Sequence, residues 1–182
     1  MCVKPRRFKD LSIPRLFLYG KELSWVSEHK YLGIYITSCQ SDFRDIRRQM
    51  RAIYARGNIL LRKFGKCSLE VKLQLFKSYL GNMYCSELWS NFKESEIGKI
   101  RVAYNNVYRL FMGIKSQCSI SNLYVQNGVD GFQCLRRKAI TNFKQRILNS
   151  VNSYLCAVRD SSHFIFSSQL QKIWQKLVYI LV

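Results

Sequence analysis

The chain has 182 residues, with 30 Lys and Arg against 11 Asp and Glu and a formal net charge of +19. Hydrophobic residues make up 48% and aromatics 14%, enough for a packed core, which excludes disorder as the overall state. The charge excess attracts polyanions, pointing to nucleic acid first and an anionic membrane surface second.

The length suits one domain, or one with an appendage. Only two Pro are present, which favours long helices. The seven Cys include no Cys-x-x-Cys spacing, which argues against a zinc finger or knuckle and for reduced thiols in an intracellular protein. The start, Met1-Cys2-Val3-Lys4-Pro5-Arg6-Arg7, has no apolar stretch of the signal-peptide kind, and Lys4 to Lys9 has the composition of a nuclear import signal. The apolar run Leu177–Val182 is far shorter than the roughly 20 residues a bilayer span needs.

In chain order, Leu16–Val26 reads as a hairpin turning at Gly20-Lys21, followed by a third strand through Lys30–Ile36 with Gly33 in mid-strand. A mid-strand Gly marks a place where another backbone comes close. Ser41-Asp42 is an N-cap signal, and Asp45 suits a first helical turn. The spacing of Phe43, Ile46, Met50, Ile53, Gly57, Leu60 and Phe64 predicts a helix over 43–64. Arg44, Arg47, Arg48, Arg51, Arg62 and Lys66 fall on its opposite face, a surface of one sign whose self-repulsion a phosphate backbone would relieve.

A second stripe, Leu69 to Leu88, predicts a helix running to about Trp89. A third helix spans 94–112, buried through Ile97, Ile100, Tyr104, Val107 and Phe111 and stopped by Gly113. A short helix is expected at 119–127. A long one is expected at 132–159, on the stripe Phe132, Leu135, Ala139, Phe143, Ile147, Val151, Tyr154 and Val158. Arg136, Arg137 and Lys138 add a basic cluster to it, and a final amphipathic helix is expected at about 167–180. The expected fold is mostly α, a small antiparallel β block at about 15–37 followed by a helical bundle. The divisions are 1–40, 41–160 and 161–182.

The segments Leu18-Tyr19-Gly20-Lys21-Glu22-Leu23 and Lys30-Tyr31-Leu32-Gly33 resemble the palm end of LINE-type (non-LTR) retrotransposon reverse transcriptases. Downstream, Arg51–Asn58, Leu61–Phe64, Val71–Lys77, Ser86–Trp89, Tyr104–Arg109 and Gly113-Ile114 resemble the thumb of the same family, in the same order. The resemblance covers most of residues 1–160. It implies a thumb-like helical bundle and a primer-grip-like role for Tyr31, Leu32 and Gly33. It also implies binding to RNA or an RNA–DNA hybrid. The missing part of the polymerase, or a second copy of the chain, would cover the strand block.

The family's polymerase core holds two Mg²⁺ ions with an Asp from an early strand and a Tyr/Phe-Ala-Asp-Asp turn. This chain has no Asp-Asp pair, so no catalytic residue, metal ligand or cofactor is expected here. The expected function is that of a non-catalytic fragment of an RNA-directed DNA polymerase that holds nucleic-acid backbone in a thumb-like way. Two alternatives stand beside it. One is the product of a decayed open reading frame with no selected function, favoured by an amino terminus that aligns inside a family motif and by an apolar carboxyl terminus. The other is a general basic RNA-binding protein.

Overall fold

A computed structural model describes residues 14–115 and 117–161. The basic amino-terminal run and the terminal helix expected at 167–180 lie outside the described residues. The fold is mostly α, with a small antiparallel β block. Strands β1 (Phe17–Leu18), β2 (Lys21–Glu22), β3 (Glu28–Tyr31) and β4 (Ile34–Thr37) precede helices α1 (Phe43–Phe64), α2 (Leu69–Leu80), α3 (Glu94–Met112), α4 (Ile120–Gln126), α5 (Phe132–Leu148) and α6 (Ser153–Asp160). A short 3-10 turn, Ser86–Leu88, lies between α2 and α3. Among the described residues, no helix is long and apolar enough to cross a membrane.

The β block is two separate hairpins, β1 with β2 and β3 with β4, and not a hairpin plus a third strand. Both close by two residues at positive φ, Tyr19-Gly20 (50° and 73°) and Leu32-Gly33 (47° and 84°). Paired positive φ values match the right-handed twist of the flanking strands. The expected third strand is therefore folded in half: Tyr31 pairs with Ile34, and Gly33 is a turn residue. The close neighbour at Gly33 is a ring, not a backbone; a Cβ there would lie 3.3 Å from Tyr84 Cε1. The block is thinly covered, with Phe17, Leu18, Tyr31 and Leu32 all exposed.

Helices α1 and α3 run where their apolar stripes place them. Ile46, Ile53 and Leu60 of α1 are buried against Ile97, Ile100, Tyr104, Val107 and Phe111 of α3. They meet closely at Gly57, where a Cβ would stand 2.4 Å from Val107 Cγ1. Phe76 of α2 joins edge-on to Tyr104 and Tyr108, with ring centroids 5.3 and 5.0 Å away. The tyrosine hydroxyls stay satisfied inside: Tyr104 donates to the Asp130 carbonyl and Tyr124 to Asn105 Oδ1. Burial pushes both phenols well above their ordinary range, so they remain neutral donors.

Two expected helices are shorter than their stripes. The second stops at Leu80, and Met83, Ser86 and Trp89 are buried from the connecting loop instead. Arg56 closes that end, donating from Nη1 to the Tyr79 and Asn82 carbonyls at 2.9 and 3.5 Å. The helix expected over 132–159 breaks after Leu148 into α5 and α6. Asn152 Oδ1 accepts from the Tyr154 and Leu155 amides, the local bond by which Asn starts a helix afresh. Beyond the break the expected stripe is lost, since Val151 is 97% and Tyr154 82% exposed.

The α1–α3 contact makes two glycines opposites. Gly57→Ala is expected to destabilise by about 1–3 kcal/mol, because Val107 blocks the new methyl. Gly98→Ala, inside α3 and facing open space, is expected to stabilise by about 0.5–1 kcal/mol. Chemical denaturation of both variants checks the pair; equal shifts would show that the crossing is looser than the distance indicates.

Candidate nucleic-acid interface

The first turn of α1 is fixed by two carboxylates. Asp42 Oδ2 accepts from the Ser90 and Asn91 amides, so the residue that starts α1 ties it to the loop before α3. Burial raises the Asp42 carboxyl above its usual range, and these two bonds oppose the rise. Asp45 is 4% exposed. Its Oδ1 accepts from Arg48 Nε at 2.6 Å and the Tyr35 amide at 3.3 Å; its Oδ2 accepts from Trp89 Nε1 at 2.9 Å and Arg48 Nη2 at 3.1 Å. One side chain thus joins β4, α1 and the loop carrying Trp89.

Arg48 is consequently a structural partner of Asp45, not one of a row of unpaired cations. It also donates to the Tyr84 carbonyl at 3.4 Å. Arg44, Arg47, Arg51, Arg62 and Lys66 are all exposed. Arg44 pairs with Glu28 at 3.0 Å and lies over the Tyr35 ring at 5.2 Å. Arg47 lies over Phe43 at 4.2 Å. Arg51 and Arg62 have no ion-pair partner among the described residues. Tyr35, Arg44, Arg48 and Arg51 surround a notch of about 160 Å³. Arg62 follows Arg51 by eleven residues, roughly 16 Å along the helix.

The second expected basic cluster does not form a face. Arg136 is buried at 4% exposure, with its guanidinium stacked on Phe92 at 4.8 Å. Burial lowers the pKa of its guanidinium, while Glu94 and Asp42 nearby oppose the shift. Arg137 is half-buried, and Lys138 is paired with Asp130 at 2.6 Å. The physical reason is the rotation of α5, which buries Phe132, Arg136 and Ile140 instead of the expected stripe alone. Tyr31, Leu32 and Gly33 form the tip of the β3–β4 hairpin, where the Leu32 carbonyl accepts from the Tyr84 hydroxyl at 2.7 Å.

Two aromatic residues at the site carry no sequence signal. Tyr35 lies against the arginines because β4 packs on α1, and Tyr84 props the hairpin from a loop 52 residues away. Among the described residues no three His, Cys, Asp or Glu side chains gather. Asp42 and Asp45 direct their oxygens to internal donors. No family model, curated protein or solved structure matches this chain.

Removing a buried partner should cost more than removing an exposed one. Asp45→Ala is expected to destabilise by about 3–5 kcal/mol, since it strands Arg48 and the Trp89 N–H. Glu28→Ala, which frees the exposed Arg44, should cost at most about 1 kcal/mol. Urea titrations of the two variants make the comparison, and equal losses would remove Asp45 from its central place.

Proposed function

We propose that the chain binds the sugar–phosphate backbone of RNA or an RNA–DNA duplex through the outer face of α1, and does not itself polymerise. The observation that carries this reading is the convergence of Arg44, Arg48 and Arg51 with Tyr35 around one notch, continued by exposed Arg47 and Arg62. The notch suits a single phosphate group, and a guanidinium fork is the side-chain donor best matched to phosphate oxygens. The net charge of +19 supplies the long-range attraction. The resemblance to LINE-type reverse transcriptase thumbs supports the same role. It also assigns the thinly covered hairpins to contact with the missing part of a polymerase or with a second copy of the chain.

Backbone contacts give affinity with little sequence preference. If about four phosphates are neutralised, log affinity should fall with log salt at a slope of about −3 to −4. Changing Arg44, Arg47, Arg51 and Arg62 together to Gln should leave thermal melting within about 2 kcal/mol of the parent, at up to about 0.5 kcal/mol per surface site. The salt slope should shrink by about one unit per lost contact. Arg48 is kept because Asp45 requires it. Salt-titrated anisotropy with duplex RNA and an RNA–DNA hybrid is the measurement; a variant that binds like the parent would reduce this face to solvated surface. Primed RNA template with deoxynucleotides and Mg²⁺ should yield no extension, and protein-dependent extension would overturn the non-catalytic half of the reading.

A further inference from the structure

A groove of about 1120 Å³ runs between α5 and the 82–89 loop, outside the row of arginines. Asn82, Tyr84, Asn142, Phe143, Arg146 and Asn149 line it. The three Asn residues are exposed, and their side-chain amides have no hydrogen-bond partner among the described residues. A primary amide offers a donor and an acceptor side by side, the pattern that the hydrogen-bonding edges of bases present in return.

The groove also has aromatic surface and a cation. The Tyr84 ring is half exposed at 51% and is held in place by its hydroxyl bond to the Leu32 carbonyl. Phe143 is half-buried, with the Arg146 guanidinium 5.8 Å from its ring centroid. Arg146 meets Glu87 only at 3.6 Å and is 70% exposed, so its charge remains open to solvent. A half-exposed ring beside amides and an arginine is the kind of surface on which unpaired bases stack. A duplex offers no such fit, because its bases are already stacked and paired.

Position joins the groove to the notch on α1. Tyr84 lines the groove, and Arg48, which lines the notch, lies 5.8 Å from the Tyr84 ring centroid and donates to its carbonyl. Arg48 and Tyr84 are thus the contact through which the notch adjoins the groove. We propose that the groove holds the unpaired bases of a single-stranded segment continuing from the duplex bound on α1. The inference rests on that duplex reading for the origin of the strand, but base capture in the groove is measured separately from it.

The test uses the full chain and a labelled RNA duplex carrying a single-stranded overhang of about six nucleotides, within the range of single-strand site sizes. Three probes are compared by anisotropy at fixed salt: the blunt duplex, the intact overhang and an overhang of the same length made abasic. The intact overhang should raise affinity by about tenfold over blunt duplex, and the abasic overhang should return most of that gain. A 2-aminopurine in the overhang should be quenched on binding. The combined variant N82A/N142A/N149A changes three exposed side chains; it should melt like the parent, bind blunt duplex like the parent and lose the overhang gain. Equal affinity for intact and abasic overhangs would overturn the proposal, as would a triple variant that keeps the gain. If blunt duplex binds weakly while the base-dependent gain persists, the α1 reading falls and the groove stands. If duplex binds in a salt-dependent way with no base-dependent gain, the groove falls and the α1 reading stands.

Discussion

The carboxylate of Asp45 is the point on which the site depends. It is buried, and taking a charge out of water is costly unless every oxygen finds a donor. Here the donors come from three places: the Arg48 guanidinium in the same helix, the Tyr35 amide of β4 and the Trp89 indole. A buried ion pair of this kind adds little net stability compared with well-packed apolar residues. What it adds is geometry. By requiring a strand, a helix and a loop to present donors to one group, it fixes Tyr35 beside the arginines and the 82–89 loop beside α1. The notch and the groove therefore share one anchor.

That anchor also changes how the charge of α1 is to be understood. A helical face of one sign is unstable through repulsion unless something offsets it. Within the described residues the offset is partial and graded. Arg48 is tied to a buried acid, Arg44 to an exposed one, Arg47 to an aromatic ring, and Arg51 and Arg62 to no acid. The least compensated positions face outward, where a polyanion would approach.

The helices whose sequence is least ambiguous, α1 and α3, are those with an unbroken apolar stripe and clear ends at Asp42 and Gly113. Their bounds were legible because local pattern and tertiary packing agree. Elsewhere local pattern was overruled. The α5 stripe continues on paper through Val151 and Tyr154, but Asn152 offers the backbone a competing bond and the helix restarts. Leu32-Gly33 lies in a run of strand-forming residues, and only the positive φ of both marks it as a turn. Arg136 was legible as basic but not as buried, and Arg48 as basic but not as a structural partner. Their placement depends on Phe92 and Asp45, one of them 44 residues distant and the other three. The exposed row at Arg44, Arg47, Arg51 and Arg62 was legible from helical spacing alone.

Arg56 has a further consequence for motion. It belongs to α1, yet its guanidinium holds carbonyls of Tyr79 and Asn82 at the end of α2. A helix end normally frays, because its last carbonyls lack partners within the helix. The end of α2 instead borrows its donors from a neighbour, so its final turn cannot open while α1 stays in place with Arg56 engaged. The two helices then open as one cooperative unit, and amide exchange in the last turn of α2 should follow the slow exchange of α1. Exchange there as fast as at a free helix end would show that the clamp is not maintained. Asn82, at the edge of the groove, is gripped by the same guanidinium.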